Sequence, residues 1–226
     1  MRRAAFFDVD GTVVAGDIVR YGIEIRTMHR SRLGRLAWIA AFLPRVPWLL
    51  ALDAWRREAF QRSFYRVYRG LDADELERRA AALFRDYVEP RIYPQAVERI
   101  ERHKARGEKV VLVTGSIEPI VAPLAEHLGV QSVIAPRLAV ADGRLTGELV
   151  GTPVAGEEKA GRMASFAAEN GIDLAASTAY GDSADDLPML ERVGRAAVVN
   201  PRGWLLDQAV ARGWEILYWD PPEVDP

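Results

Sequence analysis

Short continuous apolar runs alternate, over much of this chain, with stretches whose apolar positions recur every three to four residues. The first run, Ala4-Ala5-Phe6-Phe7, reads as a buried strand, because a central strand of a parallel sheet is covered on both faces and need not alternate. After residue 14 the pattern changes. Ala-, Leu- and Arg-rich stretches with helical spacing run to about residue 90, including 55–69 and 72–88, and Asp72 followed by Glu75 has the form of a capping box. From residue 93 the two periods alternate. Helices are expected over 94–106, 117–128 and 157–170, each followed by a glycine stop at Gly107, Gly129 or Gly171. Strands are expected over 110–113, 132–135, 177–180 and 196–199, a hairpin over 138–150 around Asp142-Gly143, and a further helix over 186–193. Strands alternating with helices imply right-handed crossovers. The predicted fold class is therefore α/β, a Rossmann-like parallel sheet formed by residues 1–14 and 90–226, with a helical insertion, residues 15–89, after the first strand. The acid- and proline-rich residues 220–226 are expected to fray.

Composition narrows the picture by exclusion. The chain has 226 residues, 49% hydrophobic and 27% charged, as in soluble globular proteins. A net charge of −2 supplies no general drive toward nucleic acid. Cysteine is absent, which removes disulfides, thiol chemistry and Cys-based zinc sites and fits the expected cytoplasmic location. The apolar stretch after Met1-Arg2-Arg3 meets Asp8 and Asp10 too soon to be a secretion signal. Residues 33–52 are the one membrane candidate. Arg35, Pro44, Arg45 and Pro47 interrupt them, so no transmembrane segment is expected. Trp38, Trp48 and Trp55 among arginines leave lying on a membrane surface as an alternative to core packing, which the charge interruptions favour.

Candidate chemistry gathers where strands end, which is where open α/β sheets bind ligands. The first strand leads into Asp8-Val9-Asp10-Gly11-Thr12, two carboxylates that a strand's alternation directs to one site. Asp and Gly are also ordinary turn residues. Thr114-Gly115-Ser116 follows the strand 110–113 and offers a hydroxyl, close backbone approach and helix N-terminal amides, the parts of a phosphate seat, with Ser116 alternatively a helix N-cap. Lys159 stands early in the helix 157–170. Asp182, Asp185 and Asp186 follow another strand; they repel one another and form a plausible cation seat, or else complement a helix dipole. His29, His103 and His127 fall in helical segments away from these motifs and are read as surface or interhelical packing residues, and Trp214, Tyr218 and Trp219 as core or edge packing.

In order and spacing, the Asp8-to-Thr12 motif, Thr114, Lys159 and Gly181-Asp182 through Asp186 together resemble the haloacid dehalogenase superfamily, and the helical insertion sits where that family carries its cap. The segment from Leu138 to Gly147 resembles the hairpin of the phosphoserine phosphatase branch. The resemblance implies a phosphatase acting on a small phosphorylated metabolite through an aspartyl-phosphate. Asp8 would be the nucleophile and Asp10 the general acid and base. Mg2+ would be held by Asp8, the Asp10 carbonyl and Asp182, with Asp186 orienting these ligands or Lys159, while Thr114, Gly115 and Lys159 hold the phosphoryl group. Asp17 stands at the spacing of an acid that receives a substrate ammonium, and Arg62 or Arg66 is a candidate for a substrate carboxylate. Asp185 replaces the usual Asn of that branch, so phosphoserine is one candidate beside other amino-acid or amino-alcohol phosphates. Phosphoryl transfer to an acceptor other than water, and a membrane-surface interaction protein on the same scaffold, are the alternatives.

Overall fold

The computed structural model describes residues 2–222, apart from the side chains of residues 53, 54 and 57. Its strands are β1 (Ala4–Phe7), β2 (Lys109–Val113), β3 (Ser132–Ile134), β4 (Arg137–Ala141), β5 (Arg144–Val150), β6 (Thr178–Gly181), β7 (Arg195–Val199) and β8 (Glu215–Leu217). Six of them form a parallel sheet in the order β3-β2-β1-β6-β7-β8, and β4 and β5 pair as the expected antiparallel hairpin. From β1 the order runs outward one way through β2 and β3 and the other way through β6, β7 and β8. The direction therefore switches beside β1, at the crevice where such sheets bind ligands.

Strand alternation divides the core between the two faces of the sheet. Ala5, Phe7, Val110, Leu112, Tyr180, Ala197 and Val199 join one apolar cluster. Ala4, Phe6, Val111, Val113, Ala179, Ala196 and Val198 join the other, so the continuous apolar runs are the mark of a sheet covered on both sides. Phe7 and Tyr180 are register partners on β1 and β6 and stack with ring centroids 4.2 Å apart. Such a pair is worth about 0.5–1.5 kcal/mol beyond burial. The Tyr180 hydroxyl meets His103 Nε2 at 2.8 Å, which gives His103 a packing role in the core.

Helices cover the sheet and build the insertion: α1 (Ile18–Thr27), α2 (Arg32–Phe42), α3 (Val46–Trp55), α4 (Arg57–Phe64), α5 (Ala73–Leu83), α6 (Pro94–Ala105), α7 (Glu118–His127), α8 (Gly156–Glu169), α9 (Leu187–Glu191) and α10 (Gly203–Arg212). The first five lie between β1 and α6. Asp72 caps α5 by accepting from the Glu75 amide at 3.1 Å, as its position predicts. The Glu75 carboxylate turns to Arg78 and Arg79, so the reciprocal half of the capping box is not made. The helix expected over 55–69 is interrupted at Arg56, whose backbone is extended (φ −153°, ψ 105°), and its C-terminal part tightens into a 3-10 turn over Tyr65–Tyr68.

Between α2 and α3 the backbone stays helical through a 3-10 turn, Leu43–Arg45, because Pro44 and Pro47 each stand in a first turn, where a proline takes no partner from the helix. The run Arg32–Leu52 is by length and composition able to cross a membrane, so the prolines interrupt the helix less than the sequence suggests. Phe42, Leu49 and Leu52 on it are nonetheless buried in the protein core.

Two adjacent segments join the insertion to the sheet. Val14 and Ile92 bridge antiparallel, with Ala15 N donating to Arg91 O (2.8 Å) and Tyr93 N to Val13 O (3.0 Å). The β4–β5 hairpin leans onto the insertion rather than onto the sheet: Gly70 N donates to Leu145 O and Leu145 N to Leu71 O, both at 2.8 Å. Helix α10 and edge strand β8 lie beyond the elements the pattern predicts. Trp219 is buried, whereas Tyr218 is exposed. Of the expected frayed tail, residues 223–226 lie outside the described residues.

Removing the Tyr180 hydroxyl leaves the buried His103 ring without its 2.8 Å partner. Tyr180→Phe is therefore expected to lower unfolding free energy in urea by about 1–2 kcal/mol. Unchanged stability would show that this contact contributes nothing net.

Candidate active site

β1 delivers Asp8 at the switch point. Its amide donates to Tyr180 O (3.0 Å), which continues the pairing of β1 with β6. By alternation the Asp8 side chain falls on the face of Phe6, the side covered by α8, and α8 carries Lys159. The two meet: Lys159 Nζ stands 2.5 Å from Asp8 Oδ1 and 2.5 Å from Asp186 Oδ1, all three side chains buried. A lysine that looks like a solvated charge in sequence is thus a buried ammonium between two carboxylates.

A tight turn follows. The amides of Val13 and Val14 donate to Val9 O at 2.8 and 2.9 Å, and this brings Asp10 back over the β2–α7 loop. Gly11 has φ +94°, and a Cβ there would collide with the Asp182 carboxylate, so only glycine fits. Asp10 Oδ2 accepts from Ser116 Oγ (2.7 Å) and, at a longer 3.3 Å, from Thr114 Oγ1. Ser116 therefore serves Asp10 and does not cap α7, whose N-cap is Ile117. Asp10 Oδ1 is buried with no hydrogen bond, next to the Tyr21 hydroxyl, which likewise has none.

The β6–α9 loop supplies Asp182 and Asp186 in different states. One oxygen of Asp186 takes the Lys159 ammonium. The other accepts from Asp182 N (3.2 Å), Ser183 N (3.1 Å) and Ser183 Oγ (3.0 Å). Oxygens of Asp8, Asp182 and Asp186 lie within 4.8 Å of one another. Because Asp186 is saturated by protein donors, a cation would find its ligands on Asp8, Asp182 and the Asp10 region instead. The all-oxygen set of carboxylates fits a hard divalent ion.

Electrostatics point the same way. Like charges within 4.8 Å of one another repel by roughly 3.5 kcal/mol or more at an effective dielectric of about 20. Burial, then the charges of Asp186, Asp182 and Asp10, push the Asp8 carboxyl well up against the opposing pull of Lys159. Burial also raises Asp10, partly offset by the Ser116 hydroxyl. Burial and the Asp186 charge push Asp182 up to about 7. Burial alone would lower Lys159, but Asp186 and Asp8 outweigh it and hold the ammonium charged.

Asp8, Asp10, Gly115, Lys159, Asp182 and Asp186 all border one cavity of about 240 Å3. Thr114 stands behind Asp10 and is not part of its wall. Asp17 borders the cavity while its carboxylate caps α1, accepting from Arg20 N at 2.8 Å. Arg62 and Arg66 are exposed and do not reach this cavity; Arg66 lines a different cleft. The reason is helical register. Gln61, Phe64, Tyr65 and Tyr68 form the inward stripe of α4 and the turn after it, which turns positions 62 and 66 outward.

The same stripe brings in two residues the sequence reading passed over. Gln61 is buried on the cavity wall with Oε1 unpartnered and Nε2 3.4 Å from Val154 O. The Tyr65 hydroxyl donates to Gly115 O, and a Cβ on Gly115 would collide with the Gln61 amide. A polar residue on an otherwise apolar helical stripe was the available signal for Gln61.

The chain matches the haloacid dehalogenase-like hydrolases over residues 5–191 and belongs to that family. It is 35% identical over 231 residues to the inhibition of morphological differentiation protein of Streptomyces azureus, covering 98% of this chain and 80% of that one. A phosphoserine phosphatase of Mycobacterium tuberculosis is 33% identical over 224 residues (94% of this chain, 70% of that protein). A histidinol-phosphatase of Neisseria meningitidis is 28% identical over 239 residues (96% and 99%). Among solved structures, a Bordetella pertussis protein of unknown function superposes with a TM-score of 0.82 at 30% identity, covering 96% and 98% of the two chains. A substrate-bound phosphoserine phosphatase, 21% identical with a TM-score of 0.68 (96% and 93%), shares the fold.

With Asp182 pushed up to about 7 against about 3.9 unfolded, the native state without a cation binds more protons across that window. Its contribution to stability therefore falls as pH rises from about 4 through about 7. Mg2+ bound beside Asp182 would favour the ionised form and offset that loss. The gain in melting temperature on adding Mg2+ is expected to be larger at pH 8 than at pH 5, and an equal gain would show that the ion binds elsewhere.

Proposed function

We propose that this chain is a Mg2+-dependent phosphatase that hydrolyses a small phosphate monoester through an aspartyl-phosphate on Asp8. The observation that carries the reading is the pairing of two carboxylates in different environments. Asp8 lies against the Lys159 ammonium, and Asp10 is held by the Ser116 hydroxyl on one oxygen with its other oxygen unpartnered. Groups held in different surroundings are suited to different roles, one as nucleophile and one as proton carrier.

In the first step an Asp8 oxygen bonds to phosphorus as the ester P–O bond breaks, and protonated Asp10, its pKa raised by burial, gives its proton to the leaving alkoxide. In the second, Asp10 takes a proton from water. The hydroxide attacks phosphorus, the Asp8–phosphoryl bond breaks, and inorganic phosphate leaves. Lys159 and the Gly115 amide, with Thr114 once its long contact to Asp10 opens, hold the phosphoryl oxygens as charge shifts among them. Asp186 fixes Lys159 from behind. Mg2+ held by Asp8, Asp182 and the Asp10 carbonyl would offset the charge of the incoming phosphate.

The helical insertion, residues 15–89, acts as a cap on the core of residues 1–14 and 90–226, because Gln61 and Tyr65 reach down to the Gly115 loop. The cavity size suits a small leaving group, and Asp17 at its edge suits one with an ammonium. Phosphoserine and amino-alcohol phosphates are thus the substrates to rank, in keeping with the names of the relatives.

Phosphate release from serine, ethanolamine and histidinol phosphates, with and without Mg2+, tests the reading. Asp8→Asn is expected to abolish turnover, and Asp10→Asn to lower kcat about a hundred- to ten-thousand-fold. Turnover that survives in Asp8→Asn would refute the covalent route. Gln61→Ala is expected to raise KM roughly tenfold with kcat nearly unchanged, as loss of one buried polar contact to the leaving group would do. Unchanged KM would remove Gln61 from the binding site.

A further inference from the structure

We propose that the outward face of the α2–α3 run docks on an anionic lipid surface, with an arginine-lined cleft beside it receiving a phosphate headgroup. The run has two apolar faces, and the fold uses one. Phe42, Leu49 and Leu52 pack inward. Leu33, Leu36, Leu43, Trp48, Leu50 and Trp55 are 57–79% exposed. Leu33, Leu36, Leu43 and Leu50 recur with helical spacing, and Ala40 and Pro47 fill the gaps between them, also exposed. An unbroken apolar stripe of this length is more than the scattered exposure of single residues, and marks a contact surface.

Charge decides what covers it. Between Glu24 and Asp53 the sequence contains no acidic residue but carries Arg26, Arg30, Arg32, Arg35 and Arg45, in a chain whose net charge is −2. Arg35 pairs with Glu24 at 2.8 Å. Among the described residues no carboxylate lies in ion-pair range of Arg26, Arg45 or Arg66, and these three arginines line one cleft of about 490 Å3 with Trp38 and Trp48. Arg26 Nε is buried there with no hydrogen bond, and burial together with Arg30 and Arg79 pushes its guanidinium pKa down. A phosphate would satisfy that nitrogen and relieve the crowding of like charge. A second copy of this chain seated on the same face would set arginines against arginines. A bilayer presents apolar depth beneath negative headgroups, which is the complement of leucine and tryptophan flanked by arginine. The inward stripe keeps the helix lying along the surface. To span, it would have to pull Phe42, Leu49 and Leu52 out of the core.

Co-sedimentation of the full chain with vesicles of phosphatidylcholine alone, and with phosphatidylglycerol added, tests this. Binding is expected to be roughly tenfold stronger to the anionic vesicles and to be lost on raising salt from about 0.05 to 0.5 M. Brominated acyl chains should quench Trp48, with the loss of that quenching in Trp48→Phe as the control. Leu36→Asp with Leu43→Asp should abolish binding while leaving the thermal melt intact, and Arg45→Glu with Arg66→Glu should weaken it at least fivefold. No binding at low salt, or equal binding to both vesicle types, would overturn the proposal. So would a dimer by sedimentation velocity that the Leu36→Asp, Leu43→Asp variant dissociates, because it would assign the face to a second copy.

Discussion

Four aspartate side chains crowd around one lysine at the carboxyl end of β1, and that excess of negative charge is the constraint on which the rest of the arrangement depends. Lys159 can neutralise only part of it and is shared between Asp8 and Asp186. Asp186 is satisfied wholly by protein donors. What remains is the unbalanced charge of Asp8, Asp10 and Asp182, and burial pushes all three pKa values up. A fold built only for stability would not gather them, since breaking or starving such a cluster of counter-charge is expensive in a low-dielectric interior. The cluster makes sense as a seat for a cation and a reacting anion.

The sheet places these groups without needing long-range chance. β1, β2 and β6 each end on the same side, and the alternation that sends Phe7 into one apolar layer turns Asp8 into the other, toward α8. The stacked pair of Phe7 and Tyr180 fixes the register of β1 against β6 directly behind the site. Small shifts there would move Asp8 relative to Asp182, which is why packing and chemistry share these strands.

The insertion carries two separate surfaces. Its inner stripe, from Gln61 to Tyr68, closes over the Gly115 loop, while the outer side of α2 and α3 is apolar and flanked by arginines. Anchoring by the β4–β5 hairpin and by the paired segments at Val14 and Ile92 ties the inner surface to the sheet without touching the outer one. The proposed chemistry and the proposed docking should therefore respond independently to mutation.

Much of this was legible from residue order alone. Continuous apolar runs identified the buried strands, glycines closed the helices, and carboxylates after strand ends located the acidic cluster. These signals are local: they follow from burial on both faces, from backbone freedom and from the ends of strands. The family resemblance added the grouping of Asp8, Asp10, Thr114, Lys159 and Asp182. Tertiary structure decided what depends on angle and partner. Arg62 and Arg66 point away because α4 and the 3-10 turn after it carry Gln61 and Tyr65 inward, a rotation of about 100–120° per residue that only packing fixes. Ser116 left its capping role for Asp10 because the Val9–Val14 turn folds Asp10 back over that hydroxyl. Lys159 became buried only when α8 met Asp8 and Asp186, a contact across 151 and 27 residues.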